Sequence, residues 1–367
     1  MNVLHVNSYY ITAPLYKNLY EKELQLGLDL SVYVPYSNRF KNHNKDYGFY
    51  TTKSMDFSNF DRLFFYRKHK KILNNIQRAY DISKFDLIHA HSLFSNGYIA
   101  YMLSKKYKIP YIVAVRNTDV NVFFKKMIHL RKLGKEIIKN AEKVIFISEP
   151  YKEKVTDKYI DFDIAGALEK YEVIPNGIDD FWLENIYTDE RQVDNKKIRI
   201  LCVGDIDKNK NHSTTLKASK ALCRYGLEVT FNIVGRINDK KIFGELIKDE
   251  IVNYMGTMRK EELINVYRDS DIFIMPSYTE TFGLVYAEAM SQGMPVIYTK
   301  DQGFDNQFEN GVVGYHVDAD DIDMICEVTF KILENYSNIS NNCIQFVNKF
   351  DWKGIAKKYF DIYNKVI

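Results

Sequence analysis

Short apolar runs, rich in Val and Ile, recur along this chain and alternate with longer stretches in which apolar positions return every three or four residues. In the first half the runs are NVLHVN (2–7), LSVYVP (30–35), DLIHAH (86–91), IPYIVAV (109–115) and KVIFIS (143–148). In the second they are IRILCVG (198–204), VTFNIVG (229–235), IFIMPS (272–277) and MPVIYT (294–299). Runs of this length read as buried strands. The stretches Leu15 to Leu26, Gly97 to Tyr107, Thr214 to Tyr225 and Lys260 to Arg268 carry helical spacing. Strands alternating with helices predict an α/β protein with parallel sheets covered by helices, and here the pattern occurs twice.

The join is expected in VIPNGIDDFW (173–182), where Pro175, Asn176 and Gly177 break both periods. The polar run YTDERQVDNKK follows, which puts a linker at about residues 177 to 196. The predicted organisation is one Rossmann-like domain over 1–180 and a second over 181–350. A last helix over 351–367 is expected to pack back on the first domain. Ligands of open α/β sheets bind beyond the carboxyl ends of strands, so chemistry is sought in the loops that follow them, facing a cleft between the domains.

A length of 367 residues, with 46% hydrophobic and 27% charged positions, supports two such domains. The formal charge of +3 is too small to imply nucleic acid as a partner. Cys202, Cys223, Cys326 and Cys343 form no CxxC pair, which fits reduced thiols and a cytoplasmic setting. The start, MNVLHVNSYY, has neither a cationic region nor a long apolar run, and no segment reaches the roughly 20 apolar residues that span a bilayer.

The stretch ETFGLVYAEAM (280–290) places two glutamates eight positions apart around a helix start expected near Phe282. The amides of Phe282, Gly283 and Leu284 would be first-turn donors without helical partners, and with the helix dipole they suit a diphosphate. Gly283 allows close approach of a ligand to the backbone. At ~1.5 Å rise per residue, Glu288 falls roughly 8 to 9 Å along the axis, so the two carboxylates could accept hydroxyls at either end of a nucleotide sugar. The plainer alternative makes Glu280 a partner of the helix dipole and Glu288 a solvated side chain. Lys210, six residues after the strand end at Gly204, would stabilise charge on a departing diphosphate; as a loop lysine it could equally be solvated, like Lys208. The acidic runs DID (205–207) and DADDID (318–323) could hold a divalent ion, but turns and helix caps are the commoner use of so short a pattern.

In the first half, His89 and His91 alternate near one strand end, while Arg116, Asn117 and Asp119 follow the next. These mark an acceptor or sugar side, with a structural role for each histidine as the alternative. The stretch at 120–140, with Phe123, Phe124, Met127, Ile128 and Leu130 among Lys125, Lys126, Arg131, Lys132 and Lys135, reads as a basic amphipathic helix. Together with RKHKK at 67–71 it suggests an anionic membrane surface, against the simpler reading of a helix with one face in the core.

PSYTETFGLVYAEAMSQGMPVI (276–297) resembles the signature of glycosyltransferase family 4, and VIPNGID, VGDIDKNKN, YRDSDIFIMPS and ENGVVGYHV extend the likeness over most of the chain. The resemblance implies a GT-B fold and a retaining, metal-independent transferase that uses a nucleotide sugar, with uridine favoured as the base, a glycan or lipid-linked acceptor, and no cofactor. It gives Glu280 a contact to the transferred sugar, Glu288 the ribose, Lys210 the diphosphate, and Gly204, Phe282, Gly283, Leu284, Thr257 and Met258 a place around the donor. Where the family usually has Gly-Arg, this chain has Gly204-Asp205; Arg236 and Arg116 are candidates to replace the missing cation. Many members also carry a histidine at the position of Arg116 and a glycine-rich loop in place of NSYYITAPLYK. A sugar phosphorylase, an epimerase, or a catalytically silent binding partner on the same architecture are the alternatives.

Overall fold

A computed structural model describes residues 1–40, 46–160 and 168–367. The chain divides into two compact units, Met1–Gly177 together with Trp352–Ile367, and Ile178–Asp351. The boundaries therefore fall at 177/178 and 351/352, and the last helix, Trp352–Val366, belongs to the first unit.

The first unit is built on a seven-stranded sheet: β1 Asn2–Val6, β2 Asp29–Ser37, β3 Thr51–Phe57, β4 Leu87–Ala90, β5 Tyr111–Val115, β6 Lys143–Phe146 and β7 Tyr171–Val173, in spatial order β3-β2-β1-β4-β5-β6-β7. The second carries six: β8 Lys197–Val203, β9 Glu228–Val234, β10 Val252–Tyr254, β11 Ile272–Ile274, β12 Val296–Thr299 and β13 Gly314–Val317, in order β10-β9-β8-β11-β12-β13. Every pairing in both sheets is parallel. The central strands are buried on both faces, which is why they read as unbroken apolar runs rather than alternating ones.

The four helices expected from spacing occur at Leu15–Gln25, Ser95–Tyr107, His212–Arg224 and Lys260–Asp269. Residues 119–140, read as one basic helix, are instead three pieces: a π-helical turn Asp119–Phe124, a 3-10 turn Ile128–Leu130 and the helix Arg131–Asn140. Phe124 and Leu130 are buried, and Phe123 and Met127 pack against the same core. Most of the apolar side chains in that stretch thus serve the interior, leaving Val122 and Ile128 exposed.

The last helix closes one face of the first sheet. Trp352, Ile355, Tyr359 and Tyr363 share a core with Leu19 and Tyr20 of the helix Leu15–Gln25. A Cβ on Gly177 would lie 2.6 Å from the Trp352 ring, so the chain can pass there only as glycine. Beneath this helix is an enclosed polar network. The Tyr363 hydroxyl donates to Glu23 Oε1 at 2.8 Å and lies 2.7 Å from His89 Nδ1, while His5 Nε2 is 3.3 Å from Glu23 Oε2. Burial pushes the Glu23 carboxyl up to about 8 and the His5 imidazole down to about 3, both toward their neutral forms.

Candidate active site

In the second unit the loops at the carboxyl ends of β8, β9, β11 and β12 are sewn together, and the residues singled out from the sequence sit within that seam. The loop after β8 is tied to the loop after β11 by two asparagines. Asn209 donates to the Thr279 carbonyl at 2.9 Å and accepts from the Thr279 amide at 3.0 Å. Asn211, in a left-handed backbone conformation at φ 55°, donates to the carbonyls of Pro276 (3.1 Å) and Ala319 (2.7 Å). Between them stands Lys210, whose ammonium donates to Glu280 Oε2 at 2.6 Å. The lysine stem runs over Gly204, where a Cβ would come within 3.3 Å of it. A side chain at 204 would push the ammonium aside.

Glu280 is itself held from behind by the loop after β12. Its amide donates to Gln302 Oε1 at 3.0 Å, and its carbonyl accepts from the Gly303 amide at 2.8 Å. Gly303 has no space for a side chain, since a Cβ would sit 2.0 Å from the Thr281 oxygen. The other carboxylate oxygen, Oε1, accepts from the Thr281 amide at 3.1 Å. The carboxylate is thus fixed by its own backbone and by Lys210 together.

The following helix spans Leu284–Ser291, with Gly283 as its cap at φ +77°. Phe282 and Gly283 therefore precede the helix rather than open it. The amides of Phe282, Gly283 and Leu284 have no acceptor among the described residues. Such donors, at the positive end of a helix, form an anion seat. A Cβ on Gly283 would lie 2.4 Å from the Tyr286 ring, so conformation and space both demand glycine.

Along that helix Glu288 is half-buried and accepts from the Tyr267 hydroxyl at 3.2 Å. Burial raises its carboxyl to about 7, against the opposing Tyr267 hydrogen bond.

Asp205 does not face the anion seat alone. Arg236 donates to it through Nη2 at 2.8 Å and Nε at 3.3 Å, and Asn238 Nδ2 adds a third bond at 2.9 Å. The hydrogen bond from Arg236 holds the Asp205 carboxyl below its usual range. Arg236, a candidate for the missing cation, thus has its charge matched by the residue that displaced that cation. Of the other acids in the two short runs, Asp207 accepts from the Lys210 amide, Asp320 accepts from the Tyr278 hydroxyl, and Asp321 caps the helix Ile322–Glu334 through the Met324 amide. Thr257 and Met258 follow β10 in a loop anchored by the 2.8 Å bond from the Gly235 amide to the Gly256 carbonyl, with Thr257 exposed and Met258 half-buried.

The acceptor-side residues lie in the first unit. Asp119 is enclosed, its carboxylate accepting from the amides of Leu93, Phe94 and Arg116 at 2.9, 3.0 and 2.9 Å. It fixes two strand-end loops to each other. Arg116 is buried, with Nε 3.4 Å from the His91 carbonyl and its guanidinium over the Tyr16 ring. Asn117 accepts from Asn121. His91 has no exposed surface, and its Nε2 lies 3.1 Å from His5 Nδ1 and 3.3 Å from the Tyr20 hydroxyl. Among the described residues, the one group of His, Cys, Asp or Glu side chains close enough to share a metal is His5, His89 and His91, in this enclosed network and not at the anion seat.

A family model described as glycosyl transferases group 1 matches residues 185–350, and one described as Glycosyltransferase Family 4 matches residues 17–180. The chain belongs to glycosyltransferase family 4. This glycosyltransferase is 27% identical over 310 residues to an uncharacterized 41.2 kDa protein in the cps region of Klebsiella pneumoniae, covering 77% of this chain and 79% of that one. It is 26% identical over 252 residues, 63% of each chain, to an alpha-monoglucosyldiacylglycerol synthase of Acholeplasma laidlawii. Among solved structures, a sucrose-phosphate synthase from Thermosynechococcus elongatus superimposes with a TM-score of 0.78 at 18% identity, covering 100% of this chain and 98% of the other. Anabaena HepE in complex with UDP-glucose gives 0.68 at 16%, covering 100% of both chains. The two doubly wound units are thus the GT-B fold, and the enzyme is a glycosyltransferase with a nucleotide-sugar donor.

Proposed function

We propose that this enzyme transfers a hexosyl group from a uridine diphosphate sugar to a hydroxyl of a glycan or lipid-linked acceptor, with retention of configuration and without a metal ion. The observation that carries the reading is the Lys210–Glu280 pair at 2.6 Å, set beside the open amides of Phe282, Gly283 and Leu284. Within the chain these opposite charges satisfy each other. A bound diphosphate would take the ammonium and the amides, and release the carboxylate toward the sugar.

The anomeric carbon to phosphate oxygen bond breaks, and the acceptor oxygen bonds to the anomeric carbon on the face the phosphate leaves. The acceptor proton passes to that phosphate oxygen, so free nucleoside diphosphate and a new glycoside are the products. Lys210 and the amides stabilise the charge that grows on the leaving group in a site where water is scarce. Glu280 fixes the sugar, and Glu288 fixes the ribose at the opposite end of the diphosphate. Uridine is supported by HepE, whose structure holds UDP-glucose. A lipid-linked acceptor is supported by the name of the Acholeplasma laidlawii relative.

No helix among the described residues is long and apolar enough to cross a membrane. Peripheral attachment at the cytoplasmic face is supported by Phe60, Leu63, Phe64 and Tyr66, all exposed, interleaved with Arg62, Arg67 and Lys70. Flotation with anionic liposomes tests it, with salt-sensitive co-migration expected and its absence removing the idea.

The decisive assay is release of nucleoside diphosphate with a new glycoside. Glu280→Ala should abolish most turnover, and Lys210→Ala should weaken both donor binding and rate. Retained turnover with EDTA is expected, whereas loss restored by Mg²⁺ or Mn²⁺ contradicts metal independence. The Asp205–Arg236 pair favours one second reading, a silent partner subunit with a weakened diphosphate site. Absence of nucleotide binding by calorimetry would establish that reading in place of this one.

A further inference from the structure

At the carboxyl ends of β1, β2, β3 and β5 in the first unit is a cavity of about 410 Å³. Tyr36, Phe40, Phe57, Phe123 and Met127 supply its apolar walls. Three cations, Arg39, Arg62 and Lys68, also line it, and no carboxylate does among the described residues.

The charges of the adjoining segment are sorted between the cavity and its surroundings. Asp61 is enclosed and takes Arg67 Nε at 3.1 Å and Lys71 Nζ at 2.7 Å, so those two cations are matched. Arg62 and Lys68, from the same segment, have no ion-pair partner among the described residues. The Lys68 ammonium is half-buried above the Phe57 ring, 4.7 Å from its centroid. Burial first, and the like charge of Arg62 second, push Lys68 down to about 8. Arg39 lies over the Phe40 ring at 5.8 Å. A cation held where desolvation and a like charge both oppose it gains most from an anion. The turn Phe60–Leu63, which carries Arg62, also presents Phe60 and Leu63 to solvent.

We propose that this cavity binds the phosphate of a phosphate-bearing amphiphilic acceptor, with Arg39, Arg62 and Lys68 around the anion and the aromatic wall against its apolar part. The term acceptor rests on the transferase reading above, whereas the anion site stands on its own geometry. Arg and Lys with no competing carboxylate among the described lining residues suit a phosphate, and the aromatic walls favour an organic body over inorganic phosphate alone.

The full-length protein is tested in two arms. Calorimetry compares glycerol 3-phosphate with glycerol, and flotation compares phosphatidylcholine vesicles with and without phosphatidic acid. Preference for the phosphate-bearing form in either arm supports the site, and the arm in which it appears tells a soluble acceptor from a lipid. Arg62→Gln with Lys68→Gln should weaken that binding by about tenfold or more, the range for losing charge-assisted hydrogen bonds. Lys68→Arg should retain it, and Lys105→Gln, at the opposite end of the helix Ser95–Tyr107 from the cavity-lining Ser95, should leave it unchanged. Equal binding of phosphate-free ligands in both arms, or a double variant that binds like wild type, overturns the proposal. UDP binding is measured on the same samples. Loss of UDP binding with phosphate binding intact would sink the transferase reading and leave the anion site standing.

Discussion

Replacing Glu288 by Gln removes a charge that the fold holds against its own stability. The carboxyl titrates near 7 in the folded chain, against 4.5 ordinarily, because the side chain is taken from water. A folded value above the unfolded one means that the native state keeps its proton longer. Stability is then fully present below about pH 4.5 and is lost as pH rises through 7. A tenfold change in proton affinity corresponds to about 1.4 kcal/mol, so the cost at alkaline pH is at most about 3 kcal/mol, and about 2 after discounting for a side chain that still touches solvent. Gln can still accept from the Tyr267 hydroxyl but cannot ionise. Urea unfolding should therefore show the variant equal to wild type near pH 4.5 and about 2 kcal/mol more stable near pH 8.5. Affinity for UDP should move the other way, falling roughly 10- to 100-fold through loss of a charged acceptor for ribose hydroxyls. A stability difference that does not grow with pH, or a variant that is both more stable and equally tight for UDP, would refute the reasoning.

Gly283→Ala combines a left-handed backbone with a Cβ 2.4 Å from Tyr286; melting should show a loss on the order of 2 kcal/mol, accompanied by loss of donor binding. Asp205→Asn should free Arg236 and remove a negative charge near the diphosphate, so UDP affinity by calorimetry should rise several-fold; a fall would mean that Asp205 itself serves the ligand. Tyr363→Phe deletes the hydroxyl shared by Glu23 and His89 in the enclosed network of the first unit, and chemical denaturation should register a loss of about 1–3 kcal/mol.

The strands that sequence reading found and those it missed divide by position in the sheet. β1, β2, β4, β5, β6, β8, β9, β11 and β12 all appear as apolar runs, while β3, β7, β10 and β13 do not. Those four are the edges of the two sheets. An edge strand is exposed along one side, so TTKSMDF and VNY carry polar residues where a central strand would not. Length does not separate them, since β11 is as short as β7 and β10 but is buried throughout as IFI.

The site was legible to the extent that its chemistry is local. Glu280, Gly283 and Glu288 share one strand-to-helix junction, and the motif displays them together. Asn209, Asn211 and Gln302, which hold Lys210 and Glu280 in place, looked like ordinary loop residues, because their partners lie about 20 to 110 positions away. Amides and carbonyls reached across that distance leave no pattern in a single chain. The same holds for Arg236, whose pairing with Asp205 depends on parallel β8 and β9 bringing their ends side by side. The 119–140 stretch misled for the opposite reason. Its apolar spacing suits a single helix, but Phe124 and Leu130 both reach the core, and the chain there is two short turns followed by the helix Arg131–Asn140.

The central claim is that a diphosphate sits on the junction between β11 and the helix Leu284–Ser291. A crystal structure of the protein with UDP-glucose addresses it most directly. The account predicts phosphate oxygens within hydrogen-bonding distance of the Phe282, Gly283 and Leu284 amides, the Lys210 ammonium turned from Glu280 toward them, and the ribose on Glu288. A nucleotide bound elsewhere, with the Lys210–Glu280 pair undisturbed, would contradict it.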